Sequence, residues 1–277
     1  MKSCPFPQSP SRLRSAALIL AAAGALAFPS RAGNVDTELL ILVDAQTYSQ
    51  SDFNLILDNV AKSFESTDFY TAVTQGGVYG KIASSVMLYN LPTNPVAVTW
   101  RELTTQQDFF NFATSVRSIA YPNVGAGVSY AAALTSATSH MNASPSNGTV
   151  QQITIIDDGT GFYQADPTAT KAARTAALAS GVDVINAVVF DGAWQESTIS
   201  NYYQQNVISP TGTVSVVSSP QGGPKPTADL GLITAAVKTS VTGPAVQYAQ
   251  TIPEPTAPIA LGLAGVIAML RRRRVVD

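Results

Sequence analysis

Two apolar runs in this 277-residue chain end in carboxylates. Leu39-Leu40-Ile41-Leu42-Val43 stops at Asp44, and Ile153-Thr154-Ile155-Ile156 stops at Asp157-Asp158-Gly159. Carboxylates at strand ends are hard oxygen ligands, the kind that Mg²⁺ or Ca²⁺ prefers. Asp44, Asp157 and Asp158 could together serve metal-dependent phosphoester chemistry, but no general base or phosphate-binding lysine stands beside them. The plainer reading is that Asp44 caps a following turn or helix and Asp158 with Gly159 makes a turn. His140 is the one histidine, so a Ser-His-Asp triad would have to pass through it, and no nucleophile elbow accompanies it. It reads as a solvated helix residue. Gly125-Ala126-Gly127-Val128-Ser129-Tyr130 imitates a dinucleotide fingerprint without its last glycine. Trp100, Trp194 and Tyr202-Tyr203 could bind sugars, yet aromatics at such positions are more often core.

The elements that must position these groups alternate. The two runs above and a third, Val182 to Phe190, are what strands covered on both faces look like. Phe53, Ile56, Leu57, Val60, Ala61 and Phe64 follow helical spacing, with Ser51 as the expected N-cap. Phe109, Phe112, Val116 and Ile119 form a second stripe. A third helix begins at Asp166-Pro167 and stops at Gly181. Tyr79 to Tyr89 and Pro95 to Trp100 read as strands joined by a short connection, one of them an antiparallel edge. Thr213 to Val217 is a last strand and Ala228 to Val241 a closing helix. The expectation is a doubly wound, mostly parallel α/β sheet with helices on both faces and one antiparallel edge strand.

The ends carry their own signals. Lys2, Arg12 and Arg14 precede the apolar run Ala16 to Phe28 and the small-residue site Ser30-Arg31-Ala32, a signal-peptide layout with cleavage after Ala32. At the other end Pro253-Glu254-Pro255 precedes an apolar segment, Ala257 to Leu270, stopped by Arg271, Arg272, Arg273 and Arg274. That segment is short for a permanent span, about 21 Å at 1.5 Å per residue. It suits a transient anchor shown to a processing enzyme. The expected division is 1–32 signal peptide, 33–242 α/β domain, 243–256 linker with the Pro-Glu-Pro motif, and 257–277 apolar helix with the arginine cluster. The α/β region contains no cysteine, and its acids outnumber its bases about two to one. An acidic surface without basic patches argues against nucleic-acid partners.

The tail resembles the Pro-Glu-Pro C-terminal sorting signal of Gram-negative bacteria. That resemblance implies an exosortase-type processing enzyme as partner, transient anchoring in the inner membrane through the C-terminal helix, and delivery to the cell surface or exopolysaccharide matrix. The domain resembles the von Willebrand factor A fold and, more closely, a bacterial family of secreted domains of that type. The residues that carry this are Glu38 to Asp44, Tyr79 to Ala83, Asp158-Gly159, Gly181 to Asn186, and Tyr202-Tyr203 with Val207-Ile208. The resemblance implies a strand order 3-2-1-4-5-6 and a divalent-metal adhesion site beyond the carboxyl ends of the central strands. Asp44 and Asp158 match its acids, whereas Gln46, Tyr48 and Ala126 stand where it has hydroxyls. Gln46, Ser49 and Ser129 are possible auxiliary ligands of this degenerate site for Mg²⁺ or Ca²⁺. The resulting expectation is a non-enzymatic adhesion or binding module whose partner is a surface protein or polysaccharide. The alternative is a metal-dependent enzyme using Asp44, Asp157 and Asp158.

Overall fold

The computed structural model describes residues 33–46, 49–122, 129–157, 159, 161, 165–191 and 196–218. The signal segment, linker, sorting tail and expected closing helix at 228–241 lie outside the described residues.

Strands β1 (Asn34–Asp44), β2 (Ile82–Tyr89), β3 (Val96–Leu103), β4 (Asn147–Asp157), β5 (Val184–Asp191) and β6 (Val214–Ser218) form one sheet. Their order is β3-β2-β1-β4-β5-β6. All neighbours are parallel except β2 and β3. This is the von Willebrand factor A-like order expected from the sequence. Leu39, Ile41 and Val43 face one side of β1, and Leu40 and Leu42 the other, all essentially unexposed. Burial on both faces is why the run is continuous rather than alternating.

One face is covered by α1 (Gln50–Glu65), α2 (Thr67–Gly76) and α3 (Gln106–Arg117). Its centre is aromatic: Phe64 lies 4.6 Å from Phe112 and 5.4 Å from Phe69, ring to ring. Truncating one such ring costs about 3–5 kcal/mol. The other face is covered by α4 (Tyr130–Asn142), α5 (Pro167–Ala179) and α6 (Glu196–Asn206). None of the described helices is long and apolar enough to cross a membrane.

Several local expectations change. The α1 cap is Ser49, not Ser51: Ser49 is extended, and its hydroxyl accepts the Asp52 amide. The strand expected from Tyr79 begins at Ile82, because the Val78, Tyr79 and Lys81 amides turn to the Asp36 carboxylate, at 2.6, 2.9 and 3.2 Å. Amides held by a side chain are not available to a ladder. The partner strand runs on to Leu103, three residues past the expected end at Trp100. Asp166 and Pro167 open α5 as expected, with Asp166 accepting the Thr168 and Ala169 amides. Helices α2, α4 and α6 were not marked out by apolar periodicity. His140 does sit on a helix, but it is half-buried rather than freely solvated. Its ring stacks on Trp100 at 5.2 Å, and Nε2 meets the Ser85 hydroxyl at 2.8 Å. Burial lowers its pKa. Trp100 is thereby committed to the domain's own packing.

Candidate functional site

The strand order puts the winding reversal between β1 and β4, where doubly wound sheets place ligands beyond the strand ends. Side chains two apart share a face. Asp44 therefore lies on the α4–α6 face with Leu40 and Leu42, and Asp157 lies there with Ile153 and Ile155. Val43 pairs with Ile156, so Asp44 and Asp157 come one step further along the same pair of strands. Asp44 also pairs with Tyr89 at the end of β2. All three are 0% exposed.

Each carboxylate has its own set of partners. Asp44 Oδ1 accepts the Gln46 amide at 2.8 Å and Asn90 Nδ2 at 2.9 Å. Asn90 Oδ1 in turn accepts the amide of Ser129, the α4 cap, at 3.2 Å. Asn90 thus joins the ends of β1 and β2 to the start of α4, in a left-handed conformation with φ +61° that asparagine tolerates. Asp157 Oδ2 accepts the hydroxyls of both Tyr89 and Tyr130, the latter at 2.8 Å, and its Oδ1 accepts the Gly159 amide. Tyr203 on α6 donates to the Tyr130 hydroxyl at 2.9 Å. Burial, and then the Asp157 charge, push all three phenols well above their ordinary pKa. They are neutral donors at every physiological pH.

The cation that the fold type implies needs an oxygen shell with free lone pairs. Ser49 cannot supply one. Its hydroxyl donates to Asp52 Oδ2, accepts the Asp52 amide and meets Ser51 Oγ at 2.6 Å, which uses its one donor and two acceptor sites. Ser129 Oγ accepts the Ala132 amide at 3.1 Å as the cap of α4. Gln46 is exposed and reaches Asp44 through its backbone N–H. Asp158 lies outside the described residues, as do Thr47, Tyr48, Trp194 and the loop 123–128. Among the described residues no three His, Cys, Asp or Glu side chains group as a metal site. Among the described residues, Ser49, Ser129 and Gln46 therefore add no open side-chain oxygen to Asp44.

Sequence reasoning did not single out Tyr89, Asn90, Tyr130 and Tyr203 as the residues that meet Asp44 and Asp157 in the fold. The signal for Asp157 was available in strand parity with Ile153 and Ile155. No comparable signal marked the tyrosines, which come from three separate elements.

A family model described as "Protein of unknown function (DUF1194)" matches residues 34–221, the whole of the sheet. The chain belongs to that family. No curated protein matches it in sequence. Among solved structures, the human COPII-coat protein Sec24c is similar with a TM-score of 0.52 and 8% identity, over 76% of this chain and 32% of its own. The pilus adhesin SpaC from Lactobacillus rhamnosus GG, in its open conformation, has a TM-score of 0.52 and 10% identity, over 78% of this chain and 30% of its own. Proximal thread matrix protein 1 from the mussel byssus, described with a zinc-occupied MIDAS motif, has a TM-score of 0.52 and 14% identity, over 75% of this chain and 48% of its own. This chain thus spans about a third to a half of these proteins. At such identities the likeness is one of fold, and that fold is von Willebrand factor A-like.

Proposed function

We propose that this chain is exported and acts at the cell surface or in the extracellular matrix as a binding module without turnover of its own. The observation that carries this reading is the state of the strand-end face. Of its two buried acids, Asp157 is committed to Tyr89, Tyr130 and the Gly159 amide, and Asp44 accepts the Gln46 amide and Asn90. His140, the one candidate for acid–base work, is stacked against Trp100 near the β3 edge. Two of the structurally similar proteins are by name a pilus adhesin and a thread matrix protein, which supports a holding role rather than a catalytic one.

The partner in this reading is a surface protein or polysaccharide, met through hydrogen bonds by an acidic, amide- and hydroxyl-rich surface; nucleic acid is not a partner. Export follows from the N-terminal signal. An exosortase-type enzyme acts at Pro253-Glu254-Pro255 while the apolar segment and Arg271 to Arg274 hold the chain in the inner membrane for a time.

The test is fractionation of a Gram-negative host that makes exopolysaccharide and an exosortase. The parent chain is expected in the surface or matrix fraction, and a variant with Pro253, Glu254 and Pro255 changed to alanine is expected in the inner membrane. Identical distribution of the two would remove the sorting reading. Hydrolysis of matrix polymer by the purified chain, lost in Asp158→Asn with the fold intact, would replace the binding role by metal-dependent catalysis.

A further inference from the structure

A cation set against buried carboxylates does two physical things. It compensates the negative charge, and it ties together the loops and strands that contribute ligands. At Asp157 both tasks are done by protons of the protein itself. Tyr89 comes from β2, Tyr130 from the first turn of α4 and Tyr203 from α6, and all three are 0% exposed. Two hydroxyls converge directly on Asp157 Oδ2, and the third backs Tyr130 at 2.9 Å. The rings pack on one another, with Tyr130 and Tyr203 edge to face at 5.6 Å and Tyr89 and Tyr130 tilted at 6.2 Å. Hydrogen bonds to a carboxylate are among the stronger ones, and several on one buried carboxylate satisfy its lone pairs with donors of the protein itself. Four elements, β2, β4, α4 and α6, are thereby joined at the point where the winding reverses. Ser49, the cap of α1 beyond the end of β1, is likewise filled by Asp52 and Ser51.

We propose that the Tyr89–Tyr130–Tyr203 hydroxyl cluster on Asp157 stands in for the divalent ion, so that the strand-end face of this chain is assembled, and takes its partner, without a metal. The clause about the partner rests on the binding role proposed above; the clause about assembly does not.

The experiment follows the melting temperature of the full-length chain in 1 mM Mg²⁺, Ca²⁺ or Zn²⁺ against EDTA, for the parent and for Tyr89→Phe/Tyr130→Phe. A metal at about a hundred times its dissociation constant would raise the melting temperature of a domain this size by roughly 5 °C or more. The parent is expected to stay within about 1 °C. The double variant removes both hydroxyls that donate directly to Asp157 Oδ2, and is expected to respond to at least one of the ions by that larger amount. Where the double variant does not fold, Tyr89→Phe and Tyr130→Phe are compared singly, each removing one of the two direct donors, and at least one of them is expected to rise above the parent.

A parent that rises with metal and loses the rise in Asp44→Ala overturns the inference. A folded variant that stays indifferent also overturns it, because the hydroxyls would then occupy no place a cation could take. Retention of the parent on exopolysaccharide is read alongside. Retention abolished by EDTA refutes metal-free binding while leaving the binding role standing. Absence of retention with or without EDTA removes the binding role and leaves the melting comparison to decide the rest.

Discussion

Raising the pH addresses the hydroxyl cluster without changing a residue. The phenols of Tyr89, Tyr130 and Tyr203 have pKa values raised by burial and by the Asp157 charge. In the unfolded chain they return to about 10. A group whose folded pKa is raised contributes stability that is whole below the unfolded value and is lost as pH climbs toward the folded one. At about pH 11 each unfolded tyrosine gains RT ln(1 + 10), about 1.4 kcal/mol, from ionisation that the folded state forgoes. Three of them sum to about 4 kcal/mol, a large part of the roughly 5–15 kcal/mol that holds a domain folded. The assay is urea unfolding followed by tryptophan fluorescence at steps from about pH 8 to 11, with tyrosinate absorbance read on the same samples. Lysine side chains as a class also titrate in this range. The difference between parent and Tyr203→Phe isolates one tyrosine, and the pH-dependent loss is expected to shrink by about a third. Tyrosinate absorbance of these residues appearing before the unfolding transition, or a parent loss below about 1 kcal/mol at pH 11, would show that the cluster is not buried as described.

Other outcomes follow from the same geometry. Asp157→Asn weakens two charge-assisted bonds and is expected to cost about 2–4 kcal/mol in urea unfolding. Asn90→Ala loses the bonds to Asp44 and to the Ser129 amide and also strains a left-handed position, so it should cost about 2–3 kcal/mol, and Asn90→Gly about 1 kcal/mol less, by thermal melting. Gly77→Ala would set a methyl 2.2 Å from Asp36 Cγ and should destabilise by about 1–3 kcal/mol, with faster hydrogen exchange at Val78, Tyr79 and Lys81. The pKa of His140 is lowered by burial, so its contribution is complete above about pH 6.5 and is lost as pH falls; His140→Gln should flatten the acid limb of a stability profile.

Much of the fold was legible because burial on both sides of a sheet leaves a mark that needs no partner to interpret. The run Leu39–Val43 is apolar at every position and Ile153–Ile156 at all but Thr154, in strands covered on both sides. The Asp166-Pro167 opening of α5 is equally local, since a cap bonds only the next turn. Helix α4 left no such mark: Ala133, Leu134, Ala137 and Met141 face the sheet, but alanines and threonines fill its remaining faces and dilute the periodicity. The late start of the strand expected from Tyr79 depended on Asp36, more than forty residues away along the chain.

The candidate site divides in the same way. That acids stand at the ends of central strands was decided by the sequence alone, through the apolar runs they terminate. That Asp157 shares the face of Ile153 and Ile155 follows from strand parity, but that α4 and α6 cover this face, and what meets the acid there, was decided by tertiary structure. Tyr89, Tyr130 and Tyr203 lie on three elements, and a hydrogen bond between a phenol and a carboxylate far apart in the chain leaves no trace in local spacing. Local propensity and burial are properties of neighbours in sequence. The convergence of three hydroxyls on one carboxylate is a property of strand order and helix placement, and exists only once the chain has folded.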